Sequence, residues 1–176
     1  MPMKSFGVML LLVMASFLMA ESVAGVKWTA PAGWKSQGDR PMRAATYLIP
    51  AANGDTAGAE CAVYFFGAGQ GGSVEANLDR WKNQVTTPDG KPAAAKIDKR
   101  TIHGLAVATI DTSGDYSGMG GPTAASPSVA KNYRLLGAII EAPSGRVFVK
   151  LAGPAKTVAA AQADFERMLG SLEKEK

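Results

Sequence analysis

The chain has 176 residues, one histidine, one cysteine and a formal net charge of +4, which bounds it to one domain of ordinary composition. A lone cysteine excludes an internal disulfide framework, and one histidine with one cysteine cannot supply a typical zinc ligand set. The basic residues are scattered. The densest groups, Lys96, Lys99 and Arg100, then Arg40 and Arg43, fall short of a nucleic-acid-binding block, so no nucleic acid partner is expected.

The first stretch differs from the rest. Lys4 precedes an apolar run from Phe6 to Ala20, and Ser22-Val23-Ala24 places small residues at the two positions a signal peptidase reads. The run is shorter than the roughly 20 residues a membrane-spanning helix needs. This order predicts a signal peptide over residues 1–24 and a single globular domain over 25–176. The protein is then exported, periplasmic or extracellular, with no stable membrane insertion after cleavage.

The mature chain opens on a short strand, Val26 to Thr29, and a Pro/Gly turn with Trp28 and Trp34 packed about it. Arg43 to Ile49 reads as a strand stopped by Pro50, followed by a hairpin loop carrying Asn53, Gly54 and Asp55. Glu60 to Gly67 is a strand apolar on both faces, with Cys61, Val63 and Phe65 on one and Ala62, Tyr64 and Phe66 on the other. Such a strand belongs inside a sheet covered on both sides.

A glycine-rich loop, Gly67 to Ser73, leads into a helix from about Val74 to Val85. Val74, Leu78, Trp81 and Val85 recur on one helical face, and Ser73 suits the N-cap. Lys96 to Ile102 and Leu105 to Thr112 form a hairpin about His103-Gly104. Ser113 to Asn132 reads as a long irregular loop rich in glycine and serine. Tyr133 to Glu141 and Arg146 to Ala152 form a second hairpin. A last helix follows Gly153-Pro154, with Val158, Ala161, Phe165, Met168 and Leu172 on its buried face. The fold class is α+β: an antiparallel sheet of about six to seven strands between two helices, one on each side.

Two stretches carry a resemblance. Tyr133-Arg134-Leu135-Leu136-Gly137-Ala138-Ile139-Ile140 is one. Val149-Lys150-Leu151-Ala152-Gly153-Pro154-Ala155-Lys156-Thr157-Val158, running on to Phe165 and Leu172, is the other. Residues 26–172 resemble the fold shared by the PsbP subunit of photosystem II and the Ran-binding Mog proteins. Gly67 to Trp81 is similar to small exported bacterial proteins of unassigned function. The matching residues are packing residues. The resemblance implies a non-catalytic accessory or protein-binding domain; no photosystem-specific feature is present, so a photosynthetic role is not implied.

Two segments carry functional expectations. Gly69, Gln70, Gly71, Gly72 and Ser73 precede a helix, where backbone N–H groups can cradle an anion, although the lysine of a phosphate-binding loop is missing. The same glycines also suit a plain strand-to-helix turn. Tyr116 and Met119, set among glycines in the long loop, are the expected contacts for an envelope protein partner. No Gly-x-Ser-x-Gly elbow occurs, and no catalytic residue, metal ligand or cofactor is assigned. The leading expectation is a non-enzymatic accessory domain that binds a protein. The alternative is a carrier of a small apolar or anionic ligand, which calls for a pocket about Trp28, Trp34 and Phe66.

Overall fold

A computed structural model describes residues 20–38, 40–52, 54–118 and 129–176. The chain order is β1 (Ala20–Val23), β2 (Val26–Thr29), β3 (Lys35–Ser36), β4 (Arg43–Ile49), β5 (Ala59–Phe65), α1 (Val74–Asn83) and β6 (Val85–Thr86). It continues with β7 (Ala95–Ile102), β8 (Leu105–Tyr116), β9 (Ala130–Ala142), β10 (Gly145–Pro154), α2 (Ala155–Gly170) and β11 (Glu173–Lys174). The main sheet is antiparallel, in the order β3-β4-β5-β10-β9-β8-β6, with β7 also paired to β8. A second, three-stranded sheet has the order β1-β2-β11.

Each face of the main sheet carries its own core. Leu136, Ala138 and Ile140 of β9, with Val147, Val149 and Leu151 of β10, pack against Val158, Ala161, Phe165 and Met168 of α2. Leu135 and Ile139, with Phe148 and Ile110, pack against Leu78 and Trp81 of α1. The fold is thus an α/β/α sandwich, as the apolar character of both strand faces implies. β5 lies inside the sheet between β4 and β10.

Local chemistry explains the joints. His103 and Gly104 both take positive φ, 45° and 77°, so the turn between β7 and β8 has the twist a two-residue hairpin requires. Ser73 Oγ accepts from the Ala76 N–H at 3.1 Å and caps α1. The second helix has no such cap of its own, because Pro154 stands at that position. Asp55 takes over from the loop after β4. Its Oδ2 accepts from Thr157 N at 2.8 Å and from Thr157 Oγ1 at 2.6 Å. Asp55→Ala is therefore expected to cost about 1–2 kcal/mol, as loss of an N-cap does. The lowered urea midpoint at unchanged slope is the measurement.

Three boundaries differ from the sequence reading. α1 ends at Asn83 because Val85 joins the sheet as β6, paired with Tyr116. The long loop is shorter at both ends, since β8 runs to Tyr116 and β9 starts at Ala130. Cross-strand pairing to β6 and β9 recruits the glycine and serine positions whose composition alone reads as loop. Finally, Ala20–Val23 lies within the predicted leader yet pairs with β2.

Candidate functional site

α1 covers the β8–β9 half of its face of the sheet. Beside it, on β5 and β10, lies an aromatic shelf. Phe148 of β10 pairs in register with Tyr64 of β5 and with Ile139 of β9. Tyr64 stacks on Phe66 at 5.9 Å, Phe66 tilts against Phe148 at 5.6 Å, and Phe148 meets the edge of Trp81 at 6.5 Å. Together with Arg80, Gln84 and Lys150, these rings line a cleft of about 180 Å³.

Lys150 is the centre of this cleft. It pairs with Ala62 and Gly137 on the neighbouring strands, so its side chain rises from the middle of the sheet. Its Nζ donates to Gln84 Oε1 at 2.6 Å, and lies 6.0 Å from the Trp81 ring and 5.2 Å from the Tyr116 ring. Burial, reinforced by the positive charge of Arg80, pushes its pKa down from 10.5 to about 8. Arg80 donates to the amide oxygen of Asn77 at 2.5 Å. Among the described residues neither cation has a carboxylate within ion-pair distance.

Other clefts are spent differently. The one of about 250 Å³ between α1 and the β7–β8 hairpin is lined by charges that pair with one another or nearby, including Lys99 with Glu75 at 3.1 Å and Arg146 with Glu141 at 2.9 Å. The shallow one of about 520 Å³ beside β4 is mainly apolar. Its polar edge includes Glu60, which Arg43 pairs at 2.7 Å.

The glycine-rich loop borders the aromatic shelf. Gly69, Gly71 and Gly72 have φ of 71°, 87° and 80°. A Cβ on Gly71 would lie 2.7 Å from the Phe148 ring and 3.1 Å from Phe66, so only glycine lets the backbone pass there. Asn77, fully buried, latches the loop by donating to the carbonyls of Gly71 and Ser73 at 2.7 and 2.8 Å. Gln70 closes a turn through its N–H to Gly67 O at 3.1 Å and is exposed. Ser73 spends its hydroxyl on the helix cap.

Tyr116 ends β8 as a buried residue, its ring stacked on Tyr133 at 6.1 Å and Lys150 over its face. Burial raises its pKa. Met119 lies outside the described residues. Trp28 and Trp34 belong to the α2-side core, whereas Phe66 lies on the α1 side, so the three line no common pocket. Cys61 is fully buried and its thiol pKa is pushed up by burial, which keeps it protonated and unreactive. His103 donates through Nδ1 to Leu172 O at 2.8 Å and fastens the β7–β8 turn to the end of α2. Among the described residues no group of three His, Cys, Asp or Glu side chains could hold a metal ion. No described helix is long and apolar enough to cross a membrane.

Sequence reasoning passed over Arg80, Gln84 and Lys150. Lys150 reads as the polar side of an ordinary half-buried strand. The signal was in its neighbours: Phe148 and Ala152 share its face, and Gly137 interrupts the most apolar strand opposite it. A glycine inside a strand marks close approach by another group, here the Trp81 ring, which a Cβ on Gly137 would meet at 2.4 Å.

No family model matches the chain. No curated protein matches it in sequence. Among solved structures, a protein of unknown function from Pseudomonas aeruginosa is 12% identical, with 87% of this chain and 94% of that chain covered and a TM-score of 0.49. Cyanobacterial PsbP (CyanoP) from Synechocystis sp. PCC 6803 is 14% identical, with 98% of this chain and 99% of that chain covered and a TM-score of 0.51. The chain therefore shares the PsbP-like fold, an antiparallel sheet between two helices, with a protein to which its sequence is only distantly similar.

Proposed function

We propose that the protein is an exported, non-catalytic binding domain that takes up an acidic group of a protein partner in the cell envelope, at the cleft around Lys150. The observation that carries this reading is a half-buried lysine, its charge disfavoured by its surroundings and with no carboxylate partner among the described residues. An uncompensated buried charge costs stability. A carboxylate seated between Lys150 and Arg80 would supply the missing partner, and the Tyr64, Phe66 and Phe148 rings would hold the apolar stem beside it. The size of the cleft supports a side chain or chain terminus as occupant. At about 180 Å³ it is smaller than the roughly 300–1,000 Å³ of small-molecule sites, which weighs against a carrier. The Gly69–Ser73 loop then forms the rim, with Gln70 exposed toward the partner.

The test is a titration followed by the Trp81 indole N–H resonance and by calorimetry. N-acetyl-Leu-Glu-amide and its Gln counterpart are compared on the wild type and on an Arg80→Gln/Lys150→Met double variant. The Glu peptide should shift the indole resonance on the wild type, and at least tenfold less binding is expected for the Gln peptide and for the double variant. Equal binding of both peptides, or of both proteins, would sink the reading. Tight uptake of free acetate with no gain from the peptide would favour the small-anion carrier instead.

A further inference from the structure

The first described strand bears on where the chain is processed. Small residues at Ser22 and Ala24 point to a leader cut after Ala24. Such a cut would remove the whole of β1. Yet β1 is built into the fold. It pairs with β2 in continuous register from Ala20 opposite Thr29 to Val23 opposite Val26. The two strands are joined by a two-residue turn in which Ala24 and Gly25 take φ of 56° and 79°. Val23 and Ala24 pack against the α2-side core, and Ala24 O accepts from the Ser144 N–H at 3.0 Å.

The strongest tie is a buried relay. Trp28 Nε1–H donates to Tyr47 Oη at 2.9 Å, and Tyr47 O–H donates to Glu21 Oε2 at 2.7 Å. Both rings are almost wholly buried. Because the phenolic oxygen already accepts from Trp28, its own proton needs an acceptor, and Glu21 is that acceptor. Without Glu21 a buried donor is left unsatisfied. β2 would also lose its neighbour on one edge, which leaves backbone groups open to pairing with other chains.

We infer that the leader is removed at Ala20 or upstream of it, and that Glu21–Val23 stays in the mature domain as its first strand. This rests on the export reading, which the test separates from it. The full precursor is expressed in a bacterium with an intact secretion pathway, and the intact mass of the folded product is measured. A product beginning at Glu21 or earlier, but shorter than the precursor, is the expected result. A mass equal to residues 25–176 would overturn the inference and leave export standing. The mass of the whole uncleaved chain would overturn both.

A second measurement guards against ragged processing. Glu21→Ala is exported and compared with the wild type. A product that retains the strand changes in mass by that substitution and melts at lower temperature. A product without it has the mass and melting temperature of the wild type, which would overturn the inference. Glu21→Gln, whose amide oxygen still accepts from Tyr47, should recover much of the loss.

Discussion

Replacing Lys150 with methionine should make the protein more stable at pH 7 while removing its capacity to take up an acidic group. The depressed pKa of about 8, against 10.5 for a free lysine, measures how strongly the folded environment resists the charge. At about 1.4 kcal/mol per unit, the cost is on the order of 3 kcal/mol. Methionine keeps the unbranched stem among Trp81, Tyr116 and Gln84 and drops the charge. We expect a gain of about 1–3 kcal/mol, the scale seen when buried charges give way to apolar residues of similar volume. In a domain of this size that raises Tm by roughly 3–10 °C.

The pH dependence carries the same signature. Between about pH 8 and 10 the unfolded chain holds a proton on Lys150 that the folded chain has released, so the contribution of this lysine makes stability rise with pH. Below pH 8 both states hold the proton and the full cost remains. From about pH 9 the buried Cys61 thiol opposes this trend, because burial keeps its proton in the folded state while the unfolded thiol loses it, and above about pH 10 the buried phenols add to that opposition. Tyr47, Tyr64 and Tyr116 have raised pKa values, so they keep protons in the folded state that the unfolded state loses. Of the charged groups around the cleft, Arg80 opposes the lysine charge, and Glu60 is engaged by Arg43. Urea unfolding at pH 7, 8, 9 and 10 should show the stability advantage of Lys150→Met over the wild type shrink between pH 8 and 10, a difference in which the Cys61 and tyrosine contributions cancel. Lys131→Met, at an exposed position, serves as the control. An advantage of Lys150→Met that stays constant from pH 8 to 10, or a destabilised Lys150→Met, would remove the basis for a strained lysine.

Trp81→Ala should cost about 3–5 kcal/mol, the usual penalty for emptying a large buried aromatic site. That is a large share of the 5–15 kcal/mol that holds a typical domain together. Trp81 is 3% exposed, sits close against Gly137 of β9 and meets Phe148 edge-on. It is the main tie between α1 and the sheet. The seat can be tested from below. Gly137→Val would bring a Cβ within 2.4 Å of the Trp81 ring and 2.9 Å of Ile110, which overpacks the joint. A loss of about 1–3 kcal/mol follows. Combining the two changes should cost less than the sum of the single effects, because the valine then fills space the indole has left. Simple additivity would show that the two residues do not share one joint.

Much of this architecture is readable from the chain alone, and the reasons are local. Val74, Leu78 and Trp81 mark one face of α1 by spacing, with Leu78 and Trp81 buried and Val74 half-buried, whereas Val85, read with them, is buried beyond the helix in β6. The apolar content of β5 on both faces places it inside a covered sheet. His103-Gly104 announces a tight turn because few residue pairs suit positive φ. Ser73 announces a cap because its hydroxyl need reach only three residues ahead, to the Ala76 N–H. Each of these is a short-range preference, so the residues that decide it are neighbours in sequence.

The cleft is of another kind. Arg80 and Gln84 come from α1 and its end, Tyr64 and Phe66 from β5 and the loop beyond it, and Phe148 and Lys150 from β10. Their meeting depends on β10 crossing between β5 and β9, and on α1 settling over Gly137. The capping of α2 by Asp55, about a hundred residues earlier, depends on the same long-range closure. Nothing in the alternation of β10 distinguishes a lysine pointing to water from one held beneath a tryptophan. The main elements, the two apolar sheet faces and the sandwich they require are written in the residue pattern, because periodicity dictates which surface must be buried. Which half of the α1 face stays open follows from long-range packing, and with it the half-burial of the Lys150 charge beside Trp81 and Tyr116. Burial is a property of what packs above a residue, and here that is a helix whose docking site is set by a single glycine.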